Sequence, residues 1–208
     1  MPFTPFKNEP YTDYSVEANR KALKEAIERL HAEAGREYPI VIGGEEIRTD
    51  EKVKTINPSK KDEVLAVFQQ GTPELVDKAI RVAWDAFESW KRTRPETRAV
   101  VLKRAAEIMR KRRFELVATM VLEVGKNWLE ADADVAEAID MLEFYAREIL
   151  RYTERQPLSA IPTEFNEYFY IPLGAGAVIP PWNFPLAILT GMSSAAVVTG
   201  NTIVLKPS

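Results

Sequence analysis

The sequence predicts an α/β protein, with helices first and an incomplete Rossmann-like parallel sheet last. Three observations carry that reading. An apolar strand at 175–179, an apolar helix at 186–198 and a β-branched strand at 202–205 follow one another as a βαβ unit. Apolar residues recur at helical spacing over most of 72–150, and short strand-like runs fill 40–68. Two parallel strands do not make a stable doubly wound domain, so further strands are expected from sequence outside these residues.

In chain order, Ser15 is a candidate cap for an amphipathic helix carrying Val16, Leu23, Ile27 and Leu30, with Gly35 as its stop. Ile40-Val41-Ile42 meets Gly43-Gly44 and then Ile47, which reads as a strand and tight turn; further strands are expected at Lys52–Ile56 and Val64–Phe68. Thr72 followed by Pro73 is an N-cap with proline at the first helical position, opening a helix through Ala79, Ile80, Ala83 and Phe87. One helical stretch is expected from about Glu96 towards Val124, with Gly125 as terminator. Its basic run, Arg110 to Arg113, reads as a solvated helix face.

A long helix follows from about Trp128 to Leu150, with an apolar line at Val135, Ala138, Leu142, Tyr145 and Ile149. Glu130, Asp134 and Glu137 fall on a neighbouring strip, read as acidic surface continuing into Met141 and Phe144. Arg151 to Tyr170, interrupted by Gln156-Pro157 and Ile161-Pro162 and rich in aromatics, reads as a β-hairpin arm. The expected division is 1–150 for the helical and β region, 151–171 for the arm and 172–208 for the βαβ unit.

Composition narrows the chemistry. With 46% hydrophobic and 28% charged residues the 208-residue chain reads as globular, and 28 basic against 31 acidic residues are too balanced for nucleic acid or an anionic membrane surface. Zero cysteines and a single histidine, His31, argue against disulfides and against a zinc or iron centre, so no metal is expected. The apolar stretch Leu186–Val198 is broken by Thr190, Gly191, Ser193 and Ser194 and is too short to span a bilayer. The first residues lack the basic and apolar regions of a secretory signal, and a cytoplasmic location is expected.

Two familiar constellations fail. Gly174-Ala175-Gly176 precedes its strand, where a dinucleotide fingerprint follows one. Ser193-Ser194 lies in an apolar helix with no histidine nearby in sequence, against a serine hydrolase. What remains is Asn183 in the Pro-flanked segment Pro180-Pro181-Trp182-Asn183-Phe184-Pro185, where a rigid amide donor suits an oxygen that becomes negative during acyl chemistry. A second candidate is Lys206, at the carboxyl end of a strand where α/β proteins commonly bind ligands.

Those residues, with Gly200-Asn201-Thr202 leading to Lys206-Pro207-Ser208, resemble the aldehyde dehydrogenase superfamily. Glu123 to Ala131 and Asp134 to Asp140 resemble its 1-pyrroline-5-carboxylate dehydrogenase branch. The resemblance covers essentially this whole chain but only the N-terminal part of that fold. It implies oxidation of L-glutamate γ-semialdehyde to glutamate in proline and arginine breakdown, with NAD as cofactor. In such enzymes a cysteine attacks the aldehyde, hydride leaves to nicotinamide, and water activated by a glutamate hydrolyses the thioester.

By the same resemblance Asn183 is the oxyanion-binding amide, and Lys206 contacts the cofactor's adenosine ribose. Ile179, Pro180, Pro181, Trp182 and Ser208 belong to the cofactor site, while Glu137 meets the substrate ammonium and Phe184 walls its aliphatic chain. The arm at 151–171 implies a homo-oligomer. The nucleophilic cysteine, the base glutamate and the pyrophosphate-binding turn lie downstream in family members, so this chain alone is expected to be inactive. Two other readings stand beside this one: a non-catalytic interaction module using the arm, and a related aldehyde dehydrogenase with another substrate.

Overall fold

The computed structural model describes residues 3–208. Helix α1 (Glu17–Ala32) is preceded by a strap, residues 3–14, that crosses the helical layer. The strap is held by α5 (Trp128–Tyr152): Asn8 and Glu9 donate to Asp140 at 2.7 and 2.6 Å, and Thr12 donates twice to Asp132 at 2.7 Å. Ser15 does not cap α1. The N-cap position is Val16, without a side-chain cap, and the Ser15 N–H is itself bound by the Asp13 carboxylate.

The small β region begins earlier than the sequence suggests. Strand β1 (Arg36–Tyr38) runs parallel to β5 (Lys60–Gln69), which pairs antiparallel with β4 (Lys52–Asn57), giving the order β1-β5-β4. Between them β2 (Ile40–Ile42) and β3 (Glu45–Ile47) form the expected hairpin. Gly43 and Gly44 both have positive φ, +60° and +87°, as a two-residue hairpin turn requires.

Helix α2 (Pro73–Trp90) starts as expected, with the Thr72 side chain accepting from the Leu75 N–H. The stretch read as one helix is two: α3 (Pro95–Lys111) and α4 (Arg113–Val124), broken at Arg112 with φ −99° and ψ 14°. Both halves pack on α5, and the break lets α4 lie on α1 as well. The basic run is a solvated face at Arg110, Lys111 and Arg112, which are exposed, but not at Arg113. Arg113 grips the buried Asp132 through two nitrogens at 2.8 and 2.7 Å, and Arg110 reaches both Glu9 and the buried Glu143. Gly125, at φ +76°, ends α4 in the left-handed cap that favours glycine.

The apolar line of α5 is core: Val135, Ile139, Leu142 and Ile149 pack with Leu23, Leu102, Val117 and Val198. Its acidic strip is not all surface, because Asp134 is fully buried. Two alanines explain this: Ala131 and Ala138, three before and four after, put Asp134 on the core face.

Beyond α5 the arm folds back on itself without strand pairing. One backbone bond, from the Gln156 N–H to the Tyr168 carbonyl at 3.4 Å, and the Arg155–Glu167 ion pair join its limbs. Pro157 and Pro162 have no N–H to offer a ladder, and Thr163 between the limbs takes φ +72°.

The βαβ unit is present within a residue of its expected bounds. Strand β6 (Ala175–Val178) runs parallel to β7 (Thr202–Leu205), with Ala175 opposite Thr202 and Val178 opposite Leu205, and α6 (Ala187–Val198) connects them. Helices α2 and α6 both pack on this pair, and α6 also packs on α5. Gly174, at φ +134°, has no room for a side chain: a Cβ there would lie 2.4 Å from the Trp84 ring.

Candidate active site

The carboxyl ends of β6 and β7 lie side by side, tied by the Lys206 N–H donating to the Val178 carbonyl at 3.0 Å. Ile179, Pro180, Pro181 and Trp182 leave β6 there, and Lys206 leaves β7 one residue past its end. Pro180 is buried and anchors the turn, whereas Ile179 and Trp182 are 63% and 68% exposed. Exposed apolar surface beside an exposed cation, beyond two parallel strand ends, fits a dinucleotide. Ser208, two residues past Lys206, is exposed as well.

Asn183 occupies the bend between this edge and α6. Its side chain is exposed, and among the described residues its carboxamide has no hydrogen-bond partner. The backbone below it is well held. The Phe184 carbonyl accepts from the Ile188 N–H at 3.2 Å, and the Leu186 carbonyl accepts from Thr190 at 2.9 Å. The Ala187 N–H donates to the Asp134 carboxylate at 2.7 Å, whose other oxygen is 2.6 Å from the Lys126 ammonium. That ammonium also stands 4.0 Å from the centre of the Phe184 ring.

Glu137 is exposed on α5, three residues after Asp134 and therefore nearly one turn along the same helix. It lines a shallow depression with Phe6, Asn8, Asp140, Met141 and Phe144, so the N-terminal strap borders the candidate substrate carboxylate. Met141 in turn sits against Gly191 of α6, where an added Cβ would be 2.1 Å from its Sδ. The α5–α6 contact thus links Glu137 to the Asn183 bend.

The opposite end of α6 is held by different chemistry. The buried Arg98 donates through Nε to the Val198 carbonyl at 2.8 Å and through Nη1 to the Thr93 carbonyl. Trp90 Nε1 donates to the Val197 carbonyl at 2.8 Å. An anion therefore meets the N-terminus of α6 and a cation its C-terminus, both complementary to the helix dipole.

Lys126, Asp134 and Arg98 were not among the sequence candidates. The alanine spacing around Asp134 is a signal that would have placed it in the core. No comparable signal marks Arg98. His31 is engaged with Glu63 at 2.6 Å, and Ser194 Oγ donates to the Gly191 carbonyl, so no serine–histidine pair forms. Among the described residues no cluster of three or more His, Asp or Glu side chains could hold a metal ion, and no helix is long and apolar enough to cross a membrane.

A parallel βαβ unit with an exposed, amide-bearing bend at its carboxyl edge places the candidate residues where α/β proteins commonly bind ligands. The chain belongs to the aldehyde dehydrogenase family, whose pattern matches residues 46–208. Within it, the chain is 53% identical over 204 residues to 1-pyrroline-5-carboxylate dehydrogenase of Geobacillus sp. (strain WCH70), covering 98% of this chain and 40% of that protein. It is similar to the crystal structure of 1-pyrroline-5-carboxylate dehydrogenase from Thermus with bound NAD, at 48% identity and TM-score 0.96, over 100% of this chain and 40% of that one. The Δ-pyrroline-5-carboxylate dehydrogenase of Mycobacterium tuberculosis bound with NAD is more distant, at 28% identity and TM-score 0.88, over 100% of this chain and 39% of that one. The chain spans about 40% of the length of the curated relatives it matches.

Proposed function

We propose that these residues serve, within a complete enzyme, in the NAD-dependent oxidation of L-glutamate γ-semialdehyde, the open form of 1-pyrroline-5-carboxylate, to L-glutamate. The observation that carries the reading is the Asn183 carboxamide, exposed and without a partner among the described residues, on a bend whose backbone is fixed from below. An amide N–H so placed can donate to the aldehyde oxygen as it becomes an oxyanion, with little reorganisation at the moment of reaction. The names of the relatives supply the substrate class and the cofactor.

In this reading Ile179, Pro180, Pro181, Trp182 and Ser208 line the cofactor, and the Lys206 ammonium binds its adenosine ribose hydroxyls. NAD, when bound, supplies the hydride acceptor. Glu137 pairs with the substrate ammonium and Phe184 packs on the carbon chain between ammonium and aldehyde. The 208 residues contain no cysteine, so the attacking thiolate comes from elsewhere in the complete enzyme, and these residues alone are expected to be inactive. We place the enzyme in the cytoplasm.

Residues 1–150 and 172–208 would then contribute to the cofactor-binding domain, and 151–171 would join subunits. Supporting the last point, Phe165, Phe169 and Ile171 are 67–77% exposed, an apolar surface unusual for a free monomer. The alternative of a non-catalytic interaction module uses the same arm.

The test uses the complete polypeptide with Glu137→Gln, assayed on glutamate semialdehyde and on a simple aliphatic aldehyde. The expected result is a loss of kcat/KM of roughly tenfold or more on the amino-acid substrate alone, as for removal of one charge-assisted contact. Equal losses on both substrates would remove Glu137 from the substrate site.

A further inference from the structure

The bend that carries Asn183 is built on a buried ion pair that its own sequence does not supply. Helix α6 begins with no side-chain cap, since the N-cap position is Leu186. Its first N–H groups therefore need partners from elsewhere. Ala187 finds one in Asp134 of α5, at 2.7 Å. A fully buried carboxylate would be costly with that partner alone. The second partner is Lys126, at 2.6 Å and 11% exposed, which sits just before the α5 cap residue Asn127.

Lys126 does more than neutralise Asp134, because the same ammonium lies over the Phe184 ring. Asn183 is thereby bracketed. Pro180 and Pro181 restrict the backbone before it, the Phe184 ring is held directly after it, and the Ala187 N–H is pinned at the first residue of the helix.

We propose that Asp134 and Lys126 are positioning residues that aim the Asn183 carboxamide. The inference rests on the role given to Asn183 above. Neither side chain is assigned a contact with substrate or cofactor, and Lys126 reaches the substrate wall only through the Phe184 ring. A displacement of about 1 Å at such a donor lowers rate by up to roughly 100-fold.

The experiment is a double-mutant cycle in the complete enzyme with Asp134→Asn and Asn183→Ala, repeated with Lys126→Gln in case Asp134→Asn folds poorly. Arg98→Gln, at the far end of α6, serves as the control for helix stability. The expected result is a fall in kcat of roughly tenfold to 100-fold for Asp134→Asn or Lys126→Gln, with KM for NAD within about twofold. In the Asn183→Ala background neither substitution should lower kcat further. Multiplicative losses in the cycle, or an equal fall in kcat for an Arg98→Gln enzyme of matched Tm, would overturn the positioning role while leaving Asn183 in place. Wild-type turnover in Asn183→Ala would instead remove the functional reading, and the positioning role with it.

Discussion

The two ends of α6 are held by buried charges of opposite sign, yet they do different work. At the C-terminus Arg98 and Trp90 close the last carbonyls of the helix, and no candidate site residue lies against them. At the N-terminus Asp134 and Lys126 do the same for the first N–H, and the bend above them presents Asn183, Phe184 and Trp182 to solvent. A buried charge is thus no mark of function in itself. What distinguishes the N-terminal end is a polar group that is exposed and unpaired among the described residues, held in place above satisfied ones.

That contrast can be sharpened at the structural end. Arg98→Ala leaves the Val198 and Thr93 carbonyls without their buried donor and should lower stability by roughly 3 kcal/mol, read as a shift in the denaturation midpoint. The enzyme that remains folded should turn over normally, and a selective loss of kcat would blur the division between the two ends. Gly174→Ala, which forces a Cβ against Trp84 at a φ of +134°, should cost roughly 2 kcal/mol by the same measurement. Unchanged stability would mean that β6 is free to shift away from α2.

A third check uses pH. Burial pushes the Glu143 carboxyl up, but hydrogen bonds from Lys103, Arg147 and Arg110 outweigh it and hold the group at about 2, against an ordinary 4.5. Its folded value is below its unfolded one, so the unfolded chain binds the extra proton. The stabilisation is complete above about 4.5 and is lost as pH falls towards about 2. Glu143→Gln should therefore flatten the Tm-against-pH curve in that window, and an unchanged slope would assign acid sensitivity elsewhere.

The smallest effect is expected from Gly191→Ala. The atoms nearest its Cβ all belong to the flexible Met141 side chain, and alanine favours the helix, so net stability should move by no more than about 1 kcal/mol. Because Met141 borders Glu137, the readout to watch is KM for the amino-acid substrate, and no change there would separate the α5–α6 contact from substrate binding.

Much of the fold was legible because its signals are local. Thr72-Pro73, the Gly43-Gly44 turn, the Gly125 cap and the βαβ order each depend on a few adjacent residues, and each stands within about a residue of its expected place. The errors lie where distant partners decide. Strand β1 exists because it finds β5 some 30 residues later, and the helix breaks at Arg112 where its second half turns to pack on α1 as well as on α5. Asp134 was assigned to the surface because a carboxylate usually belongs there, and only the approach of Ala187 and Lys126 makes its burial tolerable. The arm's aromatics suggested strands, but its prolines deny it a ladder.

For the candidate site, the strand-end residues and Asn183 were legible as a motif, and they do gather at one edge of the β6–β7 pair. Their support was not, because it comes from α5, about 50 residues earlier in the chain.

The most direct measurement is turnover of the complete enzyme carrying Asn183→Ala, taken together with its Tm and its affinity for NAD. A loss of kcat of roughly 100-fold to 1,000-fold, with Tm and NAD binding intact, is the predicted result, as for removal of a single oxyanion donor. Wild-type turnover in that variant would contradict the account, leaving the N-terminal end of α6 as structural as the other.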